Sequence, residues 1–131
     1  MNVLSLFDGI SCGRVALERA NIKVDKYYAS EIDKWAIKTS KNNWKDIQQI
    51  GDVCSVSYNN GILYTDEGVF DVGNIDLILA GSPYQSISNL GDGSGLRGKS
   101  GLFYEFFRVL EEVREYNPNV KFLLENVHGK K

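Results

Sequence analysis

Short apolar runs alternate with helical stretches along this chain, and that alternation constrains the fold more than any other feature. VLSLF (Val3–Phe7), VDKYYAS (Val24–Ser30), IDLILAG (Ile75–Gly81) and VKFLLEN (Val120–Asn126) read as strands, and DIQQIGDV holds a further short one that ends near Asp52. Gly13–Ala20, Asp33–Asn43 and Leu102–Tyr116 read as helices, with Asp33 as an N-cap and Asn117-Pro118 as a stop. Strands separated by helices specify an α/β fold with a parallel sheet, whose ligands sit at the carboxyl ends of the strands. One segment breaks the pattern. SVSYNNGILYTDEGVFDV, residues 55–72, alternates apolar and polar positions, and Asn60-Gly61 is a two-residue hairpin turn with a second turn at Asp66-Glu67-Gly68. A β-hairpin insertion is therefore expected where a regular α/β fold places a crossover helix.

A chain of 131 residues suits one domain with a modest core. There is no apolar run of about 18 residues, so no membrane span is expected, and the start, MNVLSLFDG, enters a strand without a basic lead, so no signal peptide is read. Cys12 and Cys54 are too few for a disulfide framework and form no CxxC pair; they read as reduced thiols of a cytoplasmic protein, and no metal site is assigned. A net charge of −2 argues against a strongly basic nucleic-acid surface on this chain alone.

The strand ends carry the chemistry. After the first strand, FDGISCG offers small residues that open a helix N-terminus; this is either a cradle for a nucleotide-like ligand or an ordinary glycine turn. Glu31 ends the second strand about 20 residues further on, where dinucleotide folds grip ribose hydroxyls; a carboxylate favoured by the following helix dipole is the plainer explanation. Asp52, after the third strand, either accepts from an adenine amino group or belongs to a turn. The fifth strand ends in Glu125-Asn126, and a carboxylate at the end of an apolar strand is costly without a partner or a task.

Other patterns carry less. GSGLRGKS (Gly93–Ser100) matches the phosphate-binding G-x-x-x-x-G-K-S, but no strand immediately precedes it, so Ser88–Gly101 reads as a glycine-rich loop in which Arg97 or Lys99 could touch a phosphate. Lys34, Lys38, Lys41 and Lys45 form a basic stripe at helical spacing, the usual mark of a solvated face. His128, the single histidine, is assigned no role.

Taken in order, FDGxxxG, Glu, GDV, GSPxQ and ENV across Asn2–Val127 resemble the DNA (cytosine-5)-methyltransferases, particularly animal de novo, phage and bacterial ones. The resemblance implies a Rossmann-like core that binds S-adenosylmethionine and acts on DNA. It implies that Phe7, Asp8, Gly9 and Gly13 line the methionine side, that Glu31 holds the ribose, that Ile32 packs on adenine and that Asp52 and Val53 bracket the adenine edge. It further implies that Pro83 shapes the catalytic turn and that Glu125 holds a flipped cytosine.

One departure changes the expectation. The resemblance places a cysteine after GSP, whose thiolate adds to carbon 6 of cytosine; this chain has Tyr84. The phenol, with a pKa of about 10 against about 8.5 for a thiol, is rarely ionised at neutral pH and is bulkier. The family also continues with a target-recognition region and a returning segment beyond ENV. Residues 1–131 are accordingly expected to be the cofactor-binding half of a catalytic domain, inactive alone. DNA contact would be weak or absent, a second chain could supply the recognition half, and the fifth strand would present an exposed edge. The rival expectation is a non-catalytic module that binds S-adenosylmethionine or a partner.

Overall fold

The computed structural model describes residues 1–81 and 94–125, with side chains described for 1–81 and 104–124. Five parallel strands form the central sheet: β1 (Asn2–Leu6), β2 (Lys26–Ser30), β3 (Ile47–Gly51), β7 (Leu77–Gly81) and β8 (Lys121–Glu125), in the order β3-β2-β1-β7-β8. With the insertion set aside this is the 3-2-1-4-5 order of a Rossmann-like sheet, and the chain reverses direction of travel beside β1. Helix α1 (Cys12–Arg19) links β1 to β2, and α2 (Lys34–Asn43) links β2 to β3.

Strand periodicity sorts the core into two faces. Leu4, Leu6, Tyr28, Ile78 and Ala80 turn to one face, where Phe106, Val109, Leu110 and Val113 of α3 (Ser94–Tyr116) cover them. Val3, Tyr27 and Ala29 turn to the other, against Leu17 of α1. Among the described residues β8 pairs only with β7, and Phe122 and Leu123 are 47% and 62% exposed.

The insertion is an antiparallel meander of β4 (Ser57–Asn59), β5 (Ile62–Thr65) and β6 (Gly68–Asp71). Asn60 and Gly61 have φ of 55° and 83°, the left-handed pair that a tight hairpin needs, which explains why Asn-Gly occupies it. The meander is fastened to α3 rather than left as an excursion. Glu112 accepts from the Tyr58 amide at 2.8 Å, and Arg108 joins Glu112 and Glu105 to the Val53 carbonyl.

The glycine-rich loop expected over Ser88–Gly101 is corrected in its second half. Residues from Ser94 onward belong to α3, so most of GSGLRGKS is helical. From the second turn of α3 onward the backbone amides are committed to i→i−4 bonds, so the C-terminal part of this stretch cannot serve as a backbone phosphate cradle. Ser82–Gly93 lies outside the described residues.

Candidate functional site

The turn after β1 is built from strained backbone. Phe7 and Ser11 have φ of 54° and 71°, left-handed values that cost non-glycine residues roughly 1–2 kcal/mol each. Gly9 shares this region at 64°, and a side chain added there would meet nothing within 4 Å. Open space beside a left-handed glycine amide is room for a ligand. Strain concentrated in one turn at the carboxyl edge of a parallel sheet is characteristic of a functional loop.

Glu31, at the end of β2, reaches across this turn. Its Oε1 accepts from the Gly9 amide at 2.7 Å, and its Oε2 accepts from the Ile32 and Asp33 amides at 3.0 Å each. One carboxylate thus ties the first loop to the start of α2, and it retains acceptor capacity on Oε1. Asp33 caps α2 as expected, accepting from Trp35 and Ala36. Ile32 is 71% exposed, an apolar side chain held out at a strand end.

The glycines fix close approaches. A Cβ on Gly13 would lie 2.6 Å from Leu79 Cδ1 and 3.1 Å from the Tyr27 hydroxyl, so glycine lets α1 settle on the sheet. A Cβ on Gly81 would lie 3.1 Å from the Phe7 carbonyl oxygen, so the end of β7 and the strained turn meet as bare backbone. A cleft of about 520 Å³ opens here, with Phe7, Cys12, Gly13, Leu79 and Leu123 among its walls, a volume in the range of small-molecule sites.

The structure divides the residues singled out from sequence. Phe7, Asp8 and Gly13 line this cleft; Ile32 lines a separate shallow groove with Trp35 and Lys38. Asp8 turns inward, where its carboxylate accepts from Ser5 at 2.7 Å, from Tyr27 at 2.8 Å and from Ser11. Asp52 accepts from the Cys54 amide and caps the short 3-10 turn Val53–Ser55. The Val53 side chain is buried in the core, leaving its backbone at the strand end. Glu125 ends β8 opposite Gly81. Pro83 and Tyr84 lie outside the described residues. The hydroxyl partners of Asp8 were missed by sequence reasoning, since serines and a strand tyrosine carry no motif.

Burial pushes the Asp8 carboxyl above the usual aspartate range, against the lowering effect of its hydroxyl donors, and nearby Glu31 adds to the rise. In the native state Asp8 therefore holds its proton to higher pH than in the unfolded chain. Its contribution to stability is expected to fall as pH rises from about 3.9 through its native pKa. Urea unfolding at several pH values should show this slope in the parent and lack it in Asp8→Asn; identical slopes would refute the assignment.

The fold and strand-end turn define a Rossmann-like α/β domain with a strained, glycine-bearing loop after β1. Residues 1–130 match the family model for C-5 cytosine-specific DNA methylases, and the chain belongs to that family. Over 122 residues it is 38% identical to the DNA (cytosine-5)-methyltransferase DRM2 of Arabidopsis thaliana, covering 87% of this chain and 19% of that protein. It is 35% identical over 130 residues to the type II methyltransferase M1.ScrFI of Lactococcus lactis subsp. cremoris, covering 98% of this chain and 29% of that protein. The chain thus spans under a third of the length of these curated relatives. Among solved structures, Schizosaccharomyces pombe Dnmt2 shares the fold with a TM-score of 0.64 at 24% identity, over 98% of this chain and 34% of that one. Among the described residues no helix is long and apolar enough to cross a membrane.

Proposed function

We propose that residues 1–131 form the cofactor-binding half of a cytosine-5 methyltransferase catalytic domain and bind S-adenosylmethionine at the carboxyl ends of β1, β2 and β3. The observation that carries this reading is the Glu31 carboxylate joined to the Gly9 amide beside open space. The residues present fit the cofactor. The cleft offers the volume, Gly9 leaves open space beside its backbone, Glu31 offers carboxylate oxygens to a ribose, and Ile32 offers an exposed apolar surface to a purine. Asp52 and the Val53 backbone stand at the next strand end, where an adenine edge would fall. When bound, S-adenosylmethionine supplies an electrophilic methyl group on sulfur.

In this reading Glu31 orients the ribose while keeping the turn after β1 in place, and Phe7 and Asp8 shape the wall of the methionine side. The family roles carried to Pro83 and Glu125 are the catalytic turn and the hold on a cytosine ring. Tyr84 stands at the sequence position of the family nucleophile. DNA is the substrate class, contacted weakly or not at all by this portion alone, with a second chain or segment supplying recognition. The exposed, free thiols Cys12 and Cys54 suit a reducing cytoplasm. A module that binds S-adenosylmethionine without transferring methyl is the second reading, and Tyr84 is the residue that favours it.

Calorimetric titration with S-adenosylhomocysteine, with ATP as control, should give saturable binding for the first ligand only. Glu31→Ala is expected to weaken it roughly tenfold to hundredfold, since hydrogen bonds to a charged group contribute about 1.5–3 kcal/mol each. Absence of binding by the folded parent chain would refute the reading.

A further inference from the structure

We infer that Ser40, on α2, is a positioning residue for the cofactor loop, acting through a buried relay that runs from Gln49 through Ser40 and Ser11 to the carboxylate of Asp8. The inference rests on the proposed cofactor site and extends it to a residue that touches no ligand.

Ser11 is the N-cap of α1, where a serine ordinarily accepts from the first-turn amides. Here it makes no side-chain cap and is wholly buried. Its hydroxyl donates to Asp8 instead. Because that proton is committed, the contact of 2.5 Å between the Ser11 and Ser40 hydroxyls has one consistent direction: Ser40 donates and Ser11 accepts. Ser40 is also wholly buried, and the Gln49 side-chain amide lies 3.5 Å from its oxygen as a long donor. The opposite amide orientation would leave the Ser11 hydroxyl oxygen and the Gln49 carbonyl oxygen competing for the one Ser40 proton, so the relay favours the orientation in which Gln49 donates. Every donor in the chain points toward Asp8, which takes two more hydroxyl protons, from Ser5 and Tyr27.

The relay has a purpose in the backbone. Ser11 is held at φ 71° and Phe7 at 54°, values their side chains disfavour. Hydrogen bonds from β3 and α2 hold the turn in that shape. The same α2 begins beside Glu31, whose carboxylate grips Gly9 from the opposite side. The loop is thus fastened at two points, one part-buried just before α2 and one buried on α2. Without Ser40, Ser11 loses its buried donor, and the loop samples right-handed conformers that close the space beside Gly9.

The test combines S-adenosylhomocysteine titration with amide hydrogen exchange read by NMR on the 131-residue chain. Ser40→Ala is expected to weaken binding roughly fivefold to tenfold, the usual value of one buried hydrogen bond. It should also raise exchange at the Ser11 and Arg14 amides, which bond to the Asp8 and Ser11 carbonyls, while Leu4 and Ile78 keep their protection. Ser11→Gly guards against a variant that does not fold, because it removes the hydroxyl and relieves the left-handed strain together. If the relay orders the loop, Ser11→Gly loosens it despite that relief, and the double variant is no weaker than the weaker single one. Multiplicative losses in the double variant, or unchanged exchange at Ser11 and Arg14 in Ser40→Ala, would overturn the relay. If the parent chain binds no S-adenosylhomocysteine, the cofactor reading fails, and the exchange data still decide whether the relay orders the loop.

Discussion

The purified chain is expected to transfer no labelled methyl group from S-adenosylmethionine to cytosine in DNA. Position 84 is the reason. Attack at carbon 6 needs an anionic, polarisable nucleophile, because cytosine carbon 5 becomes nucleophilic only after that addition. At neutral pH a phenol with a pKa near 10 supplies about thirtyfold less anion than a thiol with a pKa near 8.5. Its oxygen is also the harder nucleophile, and a phenol ring is bulkier than a thiol. Removing a dedicated nucleophile elsewhere costs on the order of a millionfold in turnover, so the signal should fall below detection. Tyr84→Cys in the same assay divides the causes. A gain of transfer assigns the loss to the phenol. No gain in either chain assigns it to the part of the relatives' length that this chain does not span. Methyl transfer by the unaltered chain would refute the expectation.

Phe106→Ala is expected to cost about 3–5 kcal/mol of stability, the range for emptying a buried aromatic site. Phe106 is wholly buried on α3 and is the aromatic joint between that helix and the edge strand β8. Its ring lies 5.1 Å from Phe107 in an edge arrangement and 6.0 Å from Phe122. Domains of this size hold only about 5–15 kcal/mol in total, so the variant should lose a large share of its stability. The exposed neighbour is the control: Phe107→Ala, 52% exposed, should cost no more than about 1.5 kcal/mol. Urea unfolding of the two variants tests the contrast, and equal losses would show that α3 does not pack as described.

The turn after β1 shows how legibility differs from residue to residue. Glu31 stood out in the sequence from its spacing to the glycine turn, yet its bonds to Gly9, Ile32 and Asp33 were not readable, because they depend on how β2 ends beside β1. Asp8 was read as a cofactor-lining residue. It does line the cleft, but its carboxylate is saturated by hydroxyls from Ser5, Ser11 and Tyr27. Val53 was read as an adenine neighbour, and its side chain belongs to the core. The start of α3 was misplaced because Gly95, Gly98 and Gly101 each disfavour helix by about 1 kcal/mol, a local preference that did not decide the outcome.

What the sequence determined by itself is local or periodic. Apolar runs of strand length, the Asn60-Gly61 turn and the Asp33 cap each act within a few residues, where backbone sterics and hydrogen-bond reach leave little choice. The ordered strand-end motifs marked the family on the same basis, since each is a short string at a predictable place. Tertiary structure decided which distant groups meet. Ser40 is 29 residues from Ser11, and Tyr27 is 19 residues from Asp8. Only the packing of α2 and β2 against the first loop makes them partners, because a buried polar group must find its hydrogen bond wherever the fold brings one within reach.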